Sequence, residues 1–443
     1  MTSTRKKYLI ETFGCQMNGH DSERLSGMLR AMGYERADSE SDADVIIINT
    51  CCVRENAENR VYGNLGRLKH IKETNPDLRI AVCGCMAQRE SAVERILTSY
   101  KNVDVIFGTM NIEDFPELLY ESVTTGGTVV RIKDKLGDEP ERAETAVRSN
   151  RLKASINIIY GCDNFCSYCI VPYVRGREKS RPPRVIIEEA ESLIADGARE
   201  IMLLGQNVNS YGKDLAEEKT DFAKLLRGLD RVGGLYRIRF MTSNPKDLTD
   251  ELIEAVAGCE RVCGHLHLPL QSGSTRILKS MNRKYTKDEY VALANRIKEK
   301  IPGVGLTTDI IVGFPGETEE DFADTLDVVS SVKFSNAFTF MYSKRPGTPA
   351  ADMDDQVGGE IVRERFGRLV GLLNGEIHKL NTARVGSTVC VFAEEENRST
   401  GLLTGRAEDN TLVHFTGDKS MIGSLADVKI TGSKTFYLSG VAV

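Results

Sequence analysis

The chain has 443 residues, more than one hydrophobic core usually organises, so its length favours two or three domains. Hydrophobic and charged shares of 41% and 28% are those of a globular protein and exclude disordered and collagen-like classes. A formal net charge of −6 disfavours nucleic-acid binding by general phosphate neutralisation, so any contact with RNA must be local. No apolar stretch approaches the roughly 20 residues of a membrane span, and the first residues lack a signal peptide's apolar region. We therefore expect a cytoplasmic protein without membrane contact.

Residues 1–125 alternate short apolar runs with amphipathic helical patterns that begin near Asp21, Arg54 and Arg89. This alternation is typical of strand–helix–strand units around a parallel sheet. We predict an open α/β domain of the flavodoxin-like class. The predicted strands cover residues 8–13, 45–49, 80–83 and 103–107.

Residues 126–152 lose periodicity and gather glycine and charge, which indicates a linker. From residue 153 to 381, strand-like and helical runs alternate again in about six β/α units. Since right-handed crossovers curl such units into a parallel barrel, we predict a partial (β/α)6 barrel. Its predicted strands cover residues 155–160, 201–204, 236–241, 265–270, 306–312 and 337–341.

Residues 382–443 differ from the rest because short β-rich runs are broken by glycines and polar turns. Such spacing predicts a small antiparallel β-barrel. The predicted strands cover residues 388–393, 402–406, 412–415, 427–431 and 435–438.

The eleven cysteines, in a chain without a secretory signal, indicate metal or catalytic use rather than disulfides. The segment YGCDNFCSYC places Cys162, Cys166 and Cys169 on one loop directly after a predicted strand. Three thiolates can hold three irons of a cubane, which leaves the fourth iron free to bind a substrate. Structural zinc is the alternative, but zinc sites typically pair CxxC knuckles, and no second pair lies nearby in the sequence.

This array resembles the cluster loop of the radical-SAM superfamily, whose partial barrel binds S-adenosylmethionine (SAM) at the open iron. Almost the whole chain resembles the methylthiotransferases, above all the branch that acts on isopentenyl-adenosine beside the tRNA anticodon. The resemblance implies an N-terminal methylthiotransferase α/β domain, a radical-SAM barrel and a C-terminal TRAM β-barrel. The segments that carry it are GCDNFCSYCIVPYVRGREKSRP, LLGQNVNSYG, HLPLQSGSTRILKSMNRKYT, TTDIIVGFPGETEEDF and FMYSKRPGTPA.

In the N-terminal domain, Cys15, Cys51 and Cys85 each follow a predicted strand. Because the carboxyl ends of parallel strands form one crevice, we expect these cysteines to gather there, with a second iron–sulfur cluster as occupant. The resemblance implies the same, since GCQMNGHDSE, NTCCVRENAE and GCMAQRE look like the family's auxiliary-ligand segments. The choice of Cys51 over Cys52 rests mainly on the family's NTC pattern. We expect Cys83 to lie inside its strand as a small buried hydrophobic residue. For Cys259, Cys263 and Cys390 we expect core packing or chance exposure.

Polar residues just past the barrel strands are candidates to bind SAM, because active sites of such barrels lie at the carboxyl ends of the strands. Their amides, hydroxyls and carboxylates suit the ammonium, carboxylate and ribose of SAM. Several of them could instead cap helices or close turns, above all the two residues before Pro245. The polar candidates are Gln206, Asn207, Ser243, Asn244, Gln271, Ser272, Asp309 and Tyr342, and the candidates to flank the adenine are Tyr168, Ile170 and Val312.

The most concentrated basic run follows the cysteine loop and is a candidate for contact with RNA phosphates, although a solvated basic face is the ordinary alternative. The C-terminal domain is not basic, so we expect it to bind RNA by shape or through the aromatic residues Phe392 and Phe415, which could equally be core. The basic run comprises Arg175, Arg177, Lys179, Arg181 and Arg184.

By resemblance, cleavage of SAM at the open iron yields a 5′-deoxyadenosyl radical, and a second SAM supplies the methyl group for sulfur carried on the auxiliary cluster. The implied cofactors are two 4Fe-4S clusters and two SAM molecules per turnover. The implied partners are the tRNA anticodon loop and a low-potential electron donor such as flavodoxin or ferredoxin. A base in a single-stranded loop is moved into a pocket at low free-energy cost.

Two other functions fit parts of this pattern. The first is a sibling methylthiotransferase acting on threonylcarbamoyl-adenosine in tRNA or on an aspartate of a ribosomal protein. The second, from another class, is a non-catalytic iron–sulfur electron carrier or RNA-binding scaffold. The polar residues predicted at the carboxyl ends of the barrel strands argue against the second function, since an electron carrier needs no site for an organic ligand.

Overall fold

The computed structural model describes residues 5–52, 55–133, 146–148, 150–215 and 217–443, and it divides into two compact units. The first unit comprises Met1–Ser149, Tyr160–Asp163 and Cys169–Lys179, and the second comprises Asn150–Ile159, Asn164–Tyr168 and Ser180–Val443. The predicted barrel therefore gives two short segments to the first unit. The C-terminal domain shares the second unit with the barrel. No described helix is both long and apolar enough to cross a bilayer.

The first unit is built on a parallel sheet with the strand order β2-β1-β3-β4-β5-β6. Central strand β3 has the sequence VIIINT and is buried throughout, as expected for a parallel strand covered on both faces. The flavodoxin-like prediction is confirmed. The strands are β1 (Lys7–Phe13), β2 (Glu35–Arg36), β3 (Val45–Thr50), β4 (Arg79–Gly84), β5 (Val105–Phe107) and β6 (Val129–Arg131), and the helices are α1 (Gln16–Ala31), α2 (Glu55–Thr74), α3 (Glu90–Ser99), α4 (Phe115–Thr125) and the short α5 (Val171–Arg175).

The sequence analysis missed β2 and β6, because strands of two or three residues are too short to show an alternating pattern. Since β6 lies inside the predicted linker and pairs with β5, the boundary at residue 125 is too early. Helix α1 begins at Gln16, five residues before the predicted start near Asp21. The predicted start near Arg54 and linker residues 134–145 and 149 lie outside the described residues.

The second unit contains the predicted six barrel strands as two parallel sheets, β11-β10-β7 and β12-β13-β14. A bridge between Ile238 and Val262 joins the end of one sheet to the segment before the other. The partial barrel is therefore confirmed, and the unpredicted helix α12 packs on its last strand. The strands are β7 (Lys153–Asn157), β10 (Glu200–Leu204), β11 (Arg237–Phe240), β12 (His265–His267), β13 (Gly305–Val312) and β14 (Asn336–Met341); β8 (Ile159–Tyr160) and β9 (Lys179–Ser180) flank the cysteine loop.

Helices separate these strands, and two of them begin with complete capping boxes, at Thr286 and Thr318. The helices are α6 (Pro183–Ala195), α7 (Phe222–Leu229), α8 (Asp250–Gly258), α9 (Thr275–Ser280), α10 (Lys287–Lys300), α11 (Glu319–Val332) and α12 (Gly359–Thr382).

The C-terminal part of the second unit is a closed barrel with the strand order β15-β16-β17-β19-β18. The prediction of a small β-barrel is confirmed, but β17 and β19 run parallel. Strand directions cannot alternate all the way around a closed ring with an odd number of strands, so one neighbouring pair has to be parallel. The strands are β15 (Thr388–Glu396), β16 (Leu403–Ala407), β17 (Leu412–Thr416), β18 (Leu425–Ser433) and β19 (Tyr437–Ala442).

Two buried arginines of β11 join this small barrel to the large one. Arg239 donates to the carbonyls of Ala407 and Glu408 at 2.8 and 2.9 Å and also binds Glu200. Arg237 donates to carbonyls on β15 and β16. These bonds satisfy the main chain of the small barrel with charged side chains of the large one.

Candidate functional site

The register of the first sheet places its three candidate cysteines at one edge. Phe13 pairs with Thr50, and Thr50 pairs with Gly84, so the ends of β1, β3 and β4 form a row. Cys15 lies two residues beyond that row, and Cys51 and Cys85 lie one residue beyond it. Adjacent parallel strands therefore bring together cysteines that are far apart in the sequence.

Glycine is required immediately before Cys85. Gly84 has φ of +92°, and an added Cβ would lie 2.3 Å from the carbonyl oxygen of Thr50. Only a residue without Cβ turns the chain out of β4 at this angle so close to β3. The short 3-10 turn Cys85–Gln88 follows directly.

Cys51 and Cys85 are buried, whereas Cys15 is exposed. Hydrogen bonds from Cys51 and Cys52, and then Arg175, hold the pKa of the Cys85 thiol well below its ordinary value. A thiolate is the form that binds iron. Cys52 packs in an apolar cluster with Cys85, Ile170 and Val174. Since Cys51 and Cys52 both contact Cys85, the choice of Cys51 as ligand stays a prediction.

Two buried asparagines behind this edge were missed by the sequence analysis. The side chains of Asn18 and Asn49 are joined by a hydrogen bond of 3.0 Å, and Asn49 also donates to the backbone of Asn18. Asn18 accepts a hydrogen bond from the Cys15 sulfur at 3.3 Å. Asn18 lies three residues after Cys15 on α1, a spacing that could have signalled a shared face.

Cys83 lies inside β4 and is fully buried in the core, as predicted. Burial raises the pKa of its thiol well above the ordinary value. The expected core position also holds for Cys263, whereas Cys259 and Cys390 are partly exposed.

The second cysteine group starts with the Gly161–Cys162 pair in the first unit. Gly161 has φ of +67°, and an added Cβ would lie 2.0 Å from the carbonyl oxygen of Arg177. The backbone N–H of Cys162 donates to the carbonyl of Gly176 at 3.0 Å. The loop thus starts with a tight crossing of two chain segments that only glycine permits.

In the second unit, Cys166 contacts a buried arginine that the sequence analysis did not single out. The Nη1 atom of Arg283 lies 3.4 Å from the Cys166 sulfur, and its Nη2 donates to the carbonyl of Pro269. The next residue, Ser167, bonds through its backbone and hydroxyl to Met281 and Ser280. The last residue of α9 and the residue after it therefore fix the middle of the cysteine loop.

Several buried polar atoms near the carboxyl ends of the barrel strands have no hydrogen-bond partner within the described chain. They are both side-chain polar atoms of Asn157, the Oδ1 of Asn209, the hydroxyl of Ser243 and the hydroxyl of Tyr342. Because an unpaired buried polar group costs about 1–3 kcal/mol, such a group indicates a polar ligand. The amino-acid and ribose parts of SAM fit these donors and acceptors.

Ser243 and Tyr342 were among the predicted SAM-binding residues. Asn157 and Asn209 were missed, because each is an ordinary asparagine at the end of a strand or in a turn. Asn207 and Asn244 instead bond mainly within the protein. Asn207 donates to Asp247 at 2.7 Å and accepts from the backbone of Asn244 at 3.1 Å. The Asn244 side chain also accepts from the backbone of Lys246 at 3.3 Å and so caps the short turn Pro245–Asp247. The assignment of Asn207 to SAM stays a prediction.

The remaining SAM candidates lie in different environments. Gln206 is partly exposed, and Gln271 has φ of +68° with its backbone paired to Asp309 and Ile311. Ser272 accepts from the backbone of Ser274, and Asp309 lies 3.4 Å from His267.

The three candidates to flank the adenine also differ in their neighbours. Tyr168 packs near Phe314 and Tyr342 in the second unit. Ile170 packs on Cys52 and Cys85 in the first, and Val312 is fully buried in the core.

Two of the predicted RNA-binding arginines are buried in ion pairs, so their assignment to phosphate contact is wrong. Arg175 binds Asp21 at 3.0 Å, and Arg181 binds Glu189 at 2.6 Å. A basic run in the sequence does not reveal which side chains turn inward. Arg177 is exposed and pairs with Asp163, Lys179 is partly exposed, and Arg184 pairs with Glu188.

Phe392 and Phe415 are both fully buried, so their assignment to RNA stacking is wrong. Phe415 lies in the core of the small barrel. Phe392 alternates with the interior residues Val391 and Ala393, so it lies on the outer face of β15, where its ring centroid is 6.4 Å from that of Tyr236. The exposed aromatic side chain of this barrel is Phe436.

No group of three or more His, Cys, Asp or Glu residues in the described chain is close enough to hold a single metal ion. A cubane binds each thiolate at a different iron, so its ligands do not converge on one point. Each cysteine group supplies thiols, a turn that begins at glycine and a buried arginine beside one sulfur. This donor chemistry fits an iron–sulfur cluster.

Three family models match the chain. They are the uncharacterized protein family UPF0004 at residues 7–108, the Radical SAM superfamily at residues 156–329 and the TRAM domain at residues 382–443.

Among solved structures, the chain resembles a radical S-adenosylmethionine methyltransferase, TsrM, from Kitasatospora setae, with a TM-score of 0.57. The match is 15% identical and covers 78% of this chain and 75% of that chain, so it supports the fold alone. The cobalamin-dependent enzyme OxsB matches with a TM-score of 0.52 and 12% identity over 83% of this chain and 56% of that chain.

Curated relatives match over the full length. A tRNA-2-methylthio-N(6)-dimethylallyladenosine synthase from Acetivibrio thermocellus is 54% identical over 100% of this chain and 92% of its own length. A protein of the same name from Alkaliphilus oremlandii is 53% identical over 99% of this chain and 93% of its own. Identity at this level over all three parts of the chain shows common membership, so the protein belongs to the radical-SAM methylthiotransferase family, in the branch of the tRNA-2-methylthio-N(6)-dimethylallyladenosine synthases.

Proposed function

We propose that the protein adds a methylthio group to C2 of N6-isopentenyladenosine at position 37 of tRNA, beside the anticodon. The observation that carries the proposal is the presence of two cysteine groups in a chain whose relatives bear the name of this activity. One group lies at the edge of the first sheet, and the other lies on the loop after β8. An enzyme that generates a radical and delivers sulfur can use one cysteine group for each of these two tasks.

In this proposal, Cys162, Cys166 and Cys169 hold a 4Fe-4S cluster that binds SAM, and Cys15, Cys51 and Cys85 hold an auxiliary 4Fe-4S cluster. When bound, the clusters and two SAM molecules supply radical chemistry, sulfur and a methyl group. Asn157, Ser243 and Tyr342 bind the polar parts of SAM, and the barrel wall excludes water from the reaction.

The proposal also includes the partners and the compartment. The substrate is the anticodon loop, where the target adenine is unstacked at low cost. Arg177 and Lys179, close in sequence to the cysteine loop, are placed to contact RNA phosphates. A low-potential flavodoxin or ferredoxin supplies electrons, and the enzyme works in the cytoplasm.

Anaerobic reconstitution followed by assays of SAM cleavage and tRNA product tests these roles. We expect Cys162→Ala to abolish formation of 5′-deoxyadenosine. Cys85→Ala should retain some cleavage but form no methylthiolated nucleoside. Cys259→Ala, which changes a partly exposed cysteine outside both groups, is the matched control and should behave like the wild type.

Full product formation by the Cys85 variant would remove the auxiliary cluster from the mechanism. Absence of SAM cleavage by the reduced wild-type protein would favour the electron-carrier alternative. Mass spectrometry of tRNA nucleosides from a deletion strain separates the isopentenyl substrate from threonylcarbamoyl-adenosine, since the modified base is identified directly.

A further inference from the structure

We propose that Arg175 is a positioning residue for the auxiliary cluster, whose fixed positive charge beside the Cys85 sulfur raises the reduction potential of that cluster. The inference rests on the proposed function, which places a cluster on Cys15, Cys51 and Cys85. It assigns to Arg175 a role within the protein in place of contact with RNA.

The position of Arg175 is fixed from two sides within the first unit. Its guanidinium donates to the Asp21 carboxylate at 3.0 Å, and both side chains are buried. One residue earlier, the carbonyl of Val174 accepts a hydrogen bond of 2.7 Å from Thr109. Asp21 lies on α1, the helix that begins directly after Cys15. The arginine is therefore held by the segment that carries one of the cluster ligands.

The guanidinium of Arg175, next to Asp21, also lies near the candidate cysteines. Helix α5, which ends at Arg175, packs against the turn that begins at Cys85, and Val174 packs on Cys85 itself. The guanidinium is close enough to Cys85 and Cys15 to interact with their charges. An arginine guanidinium is not deprotonated in proteins, so Arg175 carries a positive charge at this position.

The apolar surroundings make this charge effective. Cys52, Cys85, Ile170 and Val174 form a buried apolar cluster around the contact, with little water to screen it. An ion pair in such a place contributes little net stability, because desolvation offsets the attraction. A purely structural role in holding α5 in place would not require a cation beside a sulfur atom.

Hydrogen bonds to cluster sulfurs, net charge and exposure set the potential of an iron–sulfur cluster. Reduction adds negative charge to a cluster that three thiolates have already made negative. A nearby cation stabilises the reduced state more than the oxidised state, so it raises the potential. Removal of the charge should lower the potential, and a lysine at the same place should restore part of it.

The test uses full-length protein in which Cys162, Cys166 and Cys169 are changed to Ala, so that only the auxiliary cluster can assemble. Iron and sulfide content, the visible spectrum and a potentiometric titration followed by EPR are measured for Arg175→Gln and Arg175→Lys in this background. Arg177→Gln removes the same charge from an exposed side chain nearby and is the matched control.

We expect all variants to bind iron. The reduction potential of Arg175→Gln should be lower than that of the parent, and the potential of Arg175→Lys should lie between these two values. The potential of Arg177→Gln should equal that of the parent. Equal potentials for Arg175→Gln and Arg177→Gln would overturn the inference. Loss of the cluster from both Arg175 variants would also overturn it, because the arginine would then serve assembly. No cluster in the parent itself would contradict the proposed function instead.

Discussion

At the scale of single residues, each cysteine group has a charged neighbour that lies far away in the sequence. Arg175 ends the helix that packs against the turn at Cys85, and the Nη1 atom of Arg283 lies 3.4 Å from the Cys166 sulfur. Both arginines are buried, and both contact other protein groups that hold them in place. Buried cations beside sulfur are expected where negative charge has to be stabilised without water.

The unpartnered side chain of Asn157 gives the sharpest prediction at this scale. Asn157→Leu should weaken SAM binding about tenfold or more, since the ligand loses about 1–3 kcal/mol of hydrogen bonding. Without SAM, the same change should leave the melting temperature unchanged or raise it, because it removes buried polar atoms that lack partners. Equilibrium dialysis with SAM and thermal unfolding measure the two effects.

Asn381→Leu is the matched control for this prediction. The Asn381 side chain donates to the carbonyls of Lys434 and Thr435, so its loss should lower the melting temperature and leave SAM affinity unchanged. A drop in stability for Asn157→Leu of the size seen in the control would show that Asn157 has a structural partner.

At the scale of elements, the start of α11 depends on one carboxylate. Asp321 closes the capping box with Thr318 and also accepts from Ser274, the N-cap residue of α9. Burial alone raises the pKa of Asp321, but hydrogen bonds from Arg276, Ser274 and Thr318 outweigh it and lower the pKa to about 2. One ionised side chain thus joins the starts of two helices at the barrel.

Asp321→Asn should therefore destabilise the second unit in a pH-dependent way. The folded pKa lies below the unfolded value of about 3.9, so the ionised form stabilises the fold by about 2–3 kcal/mol at neutral pH. This contribution is fully present above the unfolded pKa and is lost as the pH falls through the folded pKa, so it roughly halves by pH 3. The measurement is the difference in melting temperature between wild type and variant at pH 7 and at pH 3.

Asp324→Asn changes a half-exposed carboxylate on the same helix and should lower stability by less than about 1 kcal/mol. A deficit for Asp321→Asn that stays constant from pH 7 to pH 3 would contradict the assigned ionisation.

At the scale of the whole molecule, the second unit combines a large open barrel with a small closed one. Arg239 pairs with Glu200 in the large barrel and donates to two carbonyls of the small barrel. Gly305 at the start of β13 lies so close to Asp409 that an added Cβ would be 2.2 Å from its carbonyl oxygen. The two barrels therefore pack as one body, and the C-terminal barrel is not a freely tethered module.

Arg239→Leu should loosen this packing. It leaves Glu200 and two carbonyls with fewer partners, at a cost of about 3–5 kcal/mol for a broken buried pair. We expect faster proteolysis between α12 and β15, near residues 383–387, in a time course of limited digestion. Arg231→Leu, which changes an exposed arginine, is the control and should be cleaved at the wild-type rate. Equal cleavage of both variants would show that Arg239 does not hold the barrels together.

The order of the longer strands and of most helices, and the spacing of the cysteines, follow from the sequence by itself. Hydrophobic periodicity and cysteine spacing are local properties, and chain order with right-handed crossovers leaves few ways to arrange parallel strands. Short strands such as β2 and β6 were not predicted, because two or three residues are too few to show an alternating pattern.

Only the tertiary structure decided which charged and aromatic side chains turn inward. Arg175 is buried in an ion pair with Asp21, which lies 154 residues away in the sequence. Phe415 is buried inside the small barrel, and Phe392 is buried against Tyr236, just before β11 of the large barrel. The burial of a charge or a ring depends on partners that the neighbouring sequence does not reveal. For the same reason, the polar atoms of Asn157 became a candidate for ligand binding only when the folded chain left them unpaired.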